Sequence, residues 1–269
     1  MDASGHVLVI ASLLIFAAFT ACEDRRDQGR DSVKRENASA GSTLKTSSDA
    51  APILLFNGTG TSPNDVVAVE ANLDSNHFKY STANSAKLNQ MSESQIRGYR
   101  LLIVPGGNFI DIGNSLSSST ITNIRNAVQN GLNYLGICAG GFLAGNSSYY
   151  NGFNLTSGVR FGFYSAENQG IRKAAVALAA AGGPTLDQYW EDGPQFSGWG
   201  AIVAKYPDGT PAIVEGTFGS GWVILTGVHP EAPESWRDGM TFITPASADN
   251  AYATTLVHAA LNGASLPHY

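Results

Sequence analysis

The fold of this chain is decided by Gly136-Ile137-Cys138-Ala139-Gly140-Gly141. One cysteine lies between glycines, directly after the apolar run Leu132-Asn133-Tyr134-Leu135. This pattern is typical of a nucleophile elbow, a sharp strand-to-helix turn that holds a reactive side chain at the carboxyl edge of a sheet. The turn is crowded, and the positions two before and two after the nucleophile therefore favour glycine. A helix that begins there directs N–H groups at the sulfur and favours the thiolate. The alternative is a buried structural cysteine beside a glycine-rich turn.

Short apolar runs alternate with helical patterns around the elbow. Ile53–Phe56 and Leu101–Val104 are continuous apolar runs, as expected of buried parallel strands, and residues 78–81 predict a further strand. Ser62 has the character of a helix N-cap, and residues 117–130 predict an amphipathic helix. The alternation predicts an α/β fold with a mostly parallel sheet and helices on both faces.

Ligands of such sheets bind at the carboxyl ends of the strands. Asn57, Gly106, Gly107 and Cys138 each follow a predicted strand, so we expect all four along one edge. Asn57 and Gly106 are therefore candidate substrate-binding residues. The glycines after the first strand do not form a dinucleotide fingerprint, because Pro63 stands where its third glycine belongs. We predict no cofactor and no metal.

Composition excludes one class of partner. The chain has 269 residues, 14% of them charged, and a formal net charge of −6. Residues 51–269 contain 10 basic and 15 acidic side chains, without a basic stripe. Nucleic acid is therefore not an expected partner.

The N-terminal residues are expected to lie outside the folded domain. Residues 7–19 form an apolar run that is too short to span a bilayer comfortably and is typical of a signal-peptide core. It ends in Phe19-Thr20-Ala21-Cys22, which resembles a bacterial lipobox. We predict a signal peptide over residues 1–22 with lipidation at Cys22, a disordered polar tether over residues 23–50 and a single domain over residues 51–269. The protein would then be exported and bound to the membrane by its lipid, facing the periplasm or the cell exterior. A plain secretory signal or a short anchor is the alternative.

A cysteine nucleophile needs a base, and the base needs a group that orients it. Among five histidines, His229 follows the predicted strand over residues 222–228 and is followed by Pro230-Glu231. Proline holds the backbone before it extended, and Glu231 is close enough in sequence to set the imidazole tautomer. We predict that His229 and Glu231 act with Cys138. A satisfied structural histidine is the alternative.

The chain resembles a known family at these positions. A G-x-C-x-G elbow followed much later by His-Pro-Glu resembles the class I glutamine amidotransferase-like superfamily. Further motifs narrow the resemblance to the N-terminal domain of eukaryotic biotin-protein ligases, which also occurs as free-standing bacterial proteins. These motifs are Asn57-Gly58-Thr59-Gly60-Thr61-Ser62, Val104-Pro105-Gly106-Gly107 and Tyr189-Trp190-Glu191-Asp192-Gly193-Pro194-Gln195-Phe196.

The resemblance spans about residues 52–261 and implies a flavodoxin-like sheet with a Cys138–His229–Glu231 triad. It also implies an oxyanion hole made by the backbone N–H groups of Gly107 and Ala139. No biotin-ligase catalytic domain follows, so biotin transfer is not inferred. Four residues of the third motif are candidates for lining the substrate-binding side of the site: Tyr189, Trp190, Asp192 and Gln195. Alternatively, they form a structural aromatic strand and turn.

Two functions from different classes follow. The first is an exported cysteine-dependent amidohydrolase or acyltransferase that acts on a small amide, ester or peptide. The second is a non-catalytic binding or sensing module on the same scaffold. An intact Cys, His and Glu favours catalysis, whereas a blocked pocket would favour the binding module.

Overall fold

A computed structural model describes residues 51–158 and 160–269 of the chain. The predicted signal peptide, the lipobox-like Cys22 and the tether lie outside the described residues. The strands of the described part are β1 (Ile53–Phe56), β2 (Tyr80–Ala83), β3 (Leu101–Val104), β4 (Asn133–Ile137), β5 (Arg160–Phe163), β6 (Lys173–Ala180), β7 (Thr185–Glu191), β8 (Pro194–Ser197), β9 (Ala201–Lys205), β10 (Pro211–Phe218) and β11 (Gly221–Thr226).

Helices connect the strands of the first half and close the chain. They are α1 (Pro63–Ser75), α2 (Ser85–Asn89), α3 (Glu93–Ile96), α4 (Phe109–Asn114), α5 (Ser118–Gln129), α6 (Ala139–Leu143) and α7 (Ala246–Asn262), with 3-10 turns at Ser165–Gln169 and Glu234–Arg237. Across residues 51–158 and 160–269, none of the helices combines the length and the apolar character needed to cross a membrane.

One large sheet organises the domain. Its strand order is β2-β1-β3-β4-β11-β10-β9-β6-β7, and a separate small sheet pairs β5 with β8. The pairings from β2 to β11 are parallel, whereas those from β11 through β10, β9 and β6 to β7 are antiparallel. The predicted α/β fold is confirmed at this parallel centre. The antiparallel half was not anticipated from the sequence.

Alternation along the parallel strands divides the core between the two faces of the sheet. Ile53 and Leu55 of β1 point to one face, where α1 and α7 pack, and Leu54 and Phe56 point to the other, where α5 packs. Successive strand side chains point to opposite faces, so a strand covered on both sides is apolar at every position. This accounts for the continuous apolar runs in the sequence.

The helix N-caps and strands predicted from the sequence are present, with small shifts in where they begin. Ser62 is the N-cap of α1, where its side chain accepts from the Asp65 N–H, and Ser117 is the N-cap of α5. The strand expected over residues 78–81 occupies Tyr80–Ala83 instead. Residues 76–78 complete the turn after α1, and the Phe78 N–H donates to the Leu73 carbonyl, so the strand begins later.

The elbow joins β4 to α6 at the carboxyl edge of the parallel strands. Cys138 has φ 49° and ψ −104°, a conformation that is rare for a residue with a side chain. A Cβ atom added to Gly136 would lie 2.4 Å from the Gly140 carbonyl oxygen, and one added to Gly140 would lie 2.1 Å from the Val104 carbonyl oxygen. Glycine at both positions therefore lets α6 sit directly against β3 and β4.

We predict that Gly140→Ala lowers the free energy of unfolding by about 1–3 kcal/mol, because the new methyl group meets backbone rather than a side chain that can rotate away. Urea unfolding followed by circular dichroism measures this change. Gly183→Ala is the matched control, because its added Cβ would meet only the Ala180 side chain at 3.5 Å in an exposed loop. A Gly140→Ala protein as stable as the Gly183→Ala protein would contradict the packing described for the elbow.

Candidate active site

Cys138 lies at the centre of the site. Its backbone N–H donates to the Thr226 carbonyl at 2.8 Å, which ties the elbow to the neighbouring strand β11. Its side chain is mostly buried, with 7% of the residue exposed. The thiol donates to the backbone carbonyl of Glu191, with the sulfur 3.6 Å from that oxygen. The sulfur is thus shielded from bulk solvent but still borders the cavities described below.

His229 lies just beyond β11 and is held from several sides. Its backbone N–H donates to the Tyr189 carbonyl at 2.8 Å, which forms an isolated bridge to β7. Its ring meets the rings of Tyr189 and Trp236 at centroid distances of 5.8 Å each. Its Nδ1 lies 3.0 Å from Glu231 Oε1, as the sequence predicted. A proton on Nδ1 faces this carboxylate and leaves Nε2 as the nitrogen free for acid–base chemistry.

A second carboxylate reaches the same nitrogen. Asp65 Oδ1 lies 3.1 Å from His229 Nδ1, and both side chains are buried. Asp65 was not identified from the sequence as a site residue, because its only signal there is an acidic residue in the first turn of α1. Gly106 explains how the two side chains can meet. A Cβ atom at Gly106 would lie 1.9 Å from Asp65 Oδ1 and 2.7 Å from His229 Cε1.

Burial and charge act in opposite directions on the pKa of His229. Burial lowers it, but the charges of Cys138, Asp65 and Glu231 outweigh burial and raise the pKa well above its ordinary value of 6.5. For Asp65, burial raises the pKa, but the charge of His229 and contacts with His229 and Ser62 bring it below the ordinary 3.8. Burial raises the pKa of Glu231 above 4.5 despite the opposing charge of His229. Asp65 is therefore the carboxylate that holds its negative charge more firmly beside the imidazole.

Two cavities meet at Cys138, and Gly107, Cys138, Glu191 and Asp192 line both. The first, here called the histidine cavity, measures about 470 Å³, and its further lining includes Asp65, Lys173, Tyr189, His229, Trp236 and Asp238. The second, here called the aromatic cavity, measures about 440 Å³, and its further lining includes Phe109, Ile110, Ala139, Phe142, Phe163 and Arg172.

The structure brings most of the predicted site residues together. Tyr189 and Asp192 line the histidine cavity, and Gly107 and Ala139 border Cys138 in the aromatic cavity. Gly107 has φ 143°, and a Cβ atom there would lie 2.2 Å from the Gly60 carbonyl oxygen, so this position requires glycine. Gly106 lies behind the site against Asp65 and His229.

Three other candidates lie elsewhere. Asn57 is exposed after β1 and lines neither cavity. Gln195 pairs with Gly162 between β8 and β5 and also lines neither cavity. Trp190 is fully buried in the core, where its Nε1–H donates to the Gly193 carbonyl, which fits the structural interpretation. Substrate contact by Asn57 or Gln195 stays a prediction from the sequence.

The same carboxylates could also hold a cation. One ligand atom each from Asp65, His229 and Glu231 lie within 4.8 Å of one another, and all three residues are buried. A nitrogen and two carboxylate oxygens are suitable ligands for a divalent transition metal. The 3.0 Å contact with Glu231 is a hydrogen bond of the imidazole, whereas the 3.1 Å contact with Asp65 is an ion pair that lacks hydrogen-bond geometry.

Comparison with known proteins supports the family. Residues 51–171 match the family described as "Biotin-protein ligase, N terminal". The predicted family resemblance is confirmed. The matched range contains the elbow and the Val104-Pro105-Gly106-Gly107 segment, whereas Tyr189, His229 and Glu231 follow it. No curated protein matches this chain in sequence.

Solved structures agree on the architecture. The exo-beta-1,4-mannosidase Op5Man5 from Opitutaceae bacterium strain TAV5 is similar with a TM-score of 0.51 and 13% identity, over 77% of this chain and 36% of that one. Gan42B, a GH42 beta-galactosidase from G. stearothermophilus, is similar with a TM-score of 0.51 and 12% identity, over 78% and 30%. This chain thus spans about a third of the length of the two glycosidases, and at such identities the likeness concerns the fold alone.

Residues 51–171 thus resemble the biotin-protein ligase N-terminal family, and the parallel α/β centre of the sheet agrees with that resemblance.

We predict that Asp65→Asn lowers the pKa of His229, because it removes a negative charge 3.1 Å from Nδ1 without changing the shape of the side chain. NMR titration of histidine-labelled protein measures this pKa, with the resonance assigned in a His229→Gln variant. Asp74→Asn, an exposed change in the last turn of α1, is the control and should leave it unchanged.

The same change alters the pH dependence of stability. The pKa of folded His229 lies above 6.5, so the imidazolium stabilises the fold at low pH and this stability is lost as pH rises through the folded pKa. The Asp65→Asn protein should lose less stability over that range in urea unfolding. An unchanged pKa and an unchanged pH profile would show that Asp65 does not act on the imidazole.

Proposed function

We propose that this domain is a cysteine-dependent amidohydrolase or acyltransferase with Cys138 as nucleophile, His229 as acid–base and two carboxylates, Glu231 and Asp65, that orient His229. The observation that carries the proposal is the combination of a strained elbow at Cys138 with a buried, carboxylate-bound imidazole on the same cavity. Strain at a residue with positive φ is typical of functional sites, because only the surrounding structure maintains it.

The reaction follows from the roles of these groups. The Cys138 thiolate attacks the carbonyl carbon of an amide or ester, so an S–C bond forms and a negative charge develops on the carbonyl oxygen. The N–H groups of Gly107 and Ala139 would stabilise that charge, at roughly 3 kcal/mol for each donor. His229 gives its Nε2 proton to the leaving nitrogen or oxygen as the C–N or C–O bond breaks. Water or another acceptor then attacks the thioester, and the thiol is regenerated.

The alternative is a non-catalytic binding or sensing module on the same scaffold. The contact of the Cys138 thiol with the Glu191 carbonyl favours this reading, since it holds the thiol proton away from His229. Two open cavities beside the sulfur favour catalysis, because substrate can reach the nucleophile. Reactivity of Cys138 discriminates between the two functions.

We predict that iodoacetamide alkylates Cys138 rapidly well below pH 8, and that His229→Ala slows this alkylation because the positive charge that favours the thiolate is lost. The measurement is made by intact-protein mass spectrometry on the full chain carrying Cys22→Ser. Because the chain contains two cysteines, Cys138 is then the sole thiol. His258→Ala, an exposed position on α7, is the matched control and should alkylate at the parental rate.

Alkylation no faster than that of free N-acetylcysteine would count against a catalytic Cys138. A chelator should leave the rate unchanged. Slower or faster alkylation after chelation would instead indicate a cation on Asp65, His229 and Glu231.

We also propose that the domain is exported and bound to a membrane through a lipid on Cys22, as the sequence of residues 7–22 favours. The substrate would then be a small molecule or peptide outside the cytoplasm. In bacterial cells that express the chain, radiolabelled palmitate should enter the protein and should be lost in Cys22→Ser. Cys138→Ser is the matched control and should keep the label. Label that persists after Cys22→Ser would exclude the anchor.

A further inference from the structure

We propose that the aromatic cavity receives the acyl part of the substrate, and that this acyl group is apolar, aromatic or aliphatic, rather than γ-glutamyl. The inference rests on the proposed function, because it names the substrate class of that same site. It concerns the cavity that the sequence did not identify, beside Phe109, Ile110, Phe142 and Phe163.

The position of His229 decides which cavity receives which part of the substrate, because His229 lines the histidine cavity and not the aromatic cavity. The leaving group takes a proton from His229, so it must lie within hydrogen-bond reach of the imidazole in the histidine cavity. The acyl group stays bonded to Cys138 Sγ after the C–N or C–O bond breaks. It therefore needs space beside the sulfur that the leaving group does not fill, and the aromatic cavity, which borders Cys138 but not His229, supplies that space.

One wall of the aromatic cavity is apolar and made largely of aromatic rings. Phe109 stacks on Phe142 with ring centroids 4.4 Å apart, and Phe163 meets Phe142 at 5.3 Å. Ile110 and Phe163 remain 40% and 39% exposed, which leaves apolar surface open beside the nucleophile. An apolar acyl group would remove this surface from water, and rigid rings lose little conformational freedom in the process.

The charges around the aromatic cavity do not suit a γ-glutamyl group. The lone cation among its described lining residues is Arg172, which already pairs with Glu167 and Asp192. An α-carboxylate would therefore meet Glu191 and Asp192 without a free positive partner. The histidine cavity, by contrast, carries Lys173 and Asp238 and suits a polar leaving group.

The test compares three amides that share one leaving group: phenylacetyl, acetyl and γ-glutamyl p-nitroanilide. Release of p-nitroaniline by the full chain reports kcat/KM for each. We expect phenylacetyl to exceed acetyl by at least about 10-fold, because a single methylene in an apolar pocket is worth about 10–200-fold, and γ-glutamyl to be the poorest.

Two variants locate the preference. Ile110→Asp and Phe163→Asp each place a charge on a partly exposed wall of the aromatic cavity, and each should reduce the phenylacetyl-to-acetyl ratio by roughly 10-fold or more. Ile243→Asp is the matched control, since Ile243 is 89% exposed and lines neither cavity. It should keep the parental ratio.

A second measurement needs no turnover. Phenylacetamide should protect Cys138 from iodoacetamide better than acetamide does, and Ile110→Asp should remove the difference. Equal kcat/KM for phenylacetyl and acetyl, preference for γ-glutamyl, or equal protection by the two amides would overturn the inference.

These outcomes separate the inference from the proposed function. If Cys138→Ser abolishes turnover but the parent protein shows no acyl preference, the proposed function stands and the inference of an apolar acyl group is wrong. If phenylacetamide protects Cys138 selectively but no amide is hydrolysed, the aromatic cavity binds an apolar ligand and the proposed catalysis is wrong.

Discussion

The close packing of α6 against β3 and β4 is the constraint on which the site depends. Gly136 and Gly140 approach backbone so closely that neither position has room for a Cβ atom. This contact brings the chain from a strand into a helix within one residue, and that residue, Cys138, takes the strained φ of 49°. The sulfur and the Ala139 N–H are thereby brought to one edge of the sheet. A looser turn would place them apart.

A second constraint is electrostatic. His229 is buried between Asp65 and Glu231, and burial alone would favour the neutral imidazole. The negative charges reverse that preference, and they do so strongly because solvent is excluded from the cluster. The imidazolium of His229 borders the same cavity as Cys138, where its positive charge would stabilise a thiolate.

The antiparallel half of the sheet completes the site. Strand β7 supplies two carbonyl groups to the site. The Tyr189 carbonyl accepts a hydrogen bond from the His229 backbone N–H, and the Glu191 carbonyl accepts one from the Cys138 thiol. The strand also supplies Glu191 at the boundary of the two cavities. The family match ends at residue 171, so these strands lie beyond the part of the chain that the match covers. The parallel half therefore provides the nucleophile, while the extension determines how the histidine and the cavities are arranged around it.

The sequence by itself determined the parallel α/β core, the elbow at Cys138 and the pairing of His229 with Glu231. These features depend on residues that are close together in the sequence: apolar runs, glycine spacing and a carboxylate two residues from the histidine. They can therefore be recognised from the sequence directly. Only the tertiary structure revealed Asp65 as a partner of His229 and the aromatic cavity beside the sulfur. Asp65 and His229 are 164 positions apart along the chain (229 − 65), and meet because Gly106 leaves room between α1 and the end of β11. The phenylalanines of the cavity come from segments whose apolar residues are equally suited to a core, and only their packing leaves them facing open space.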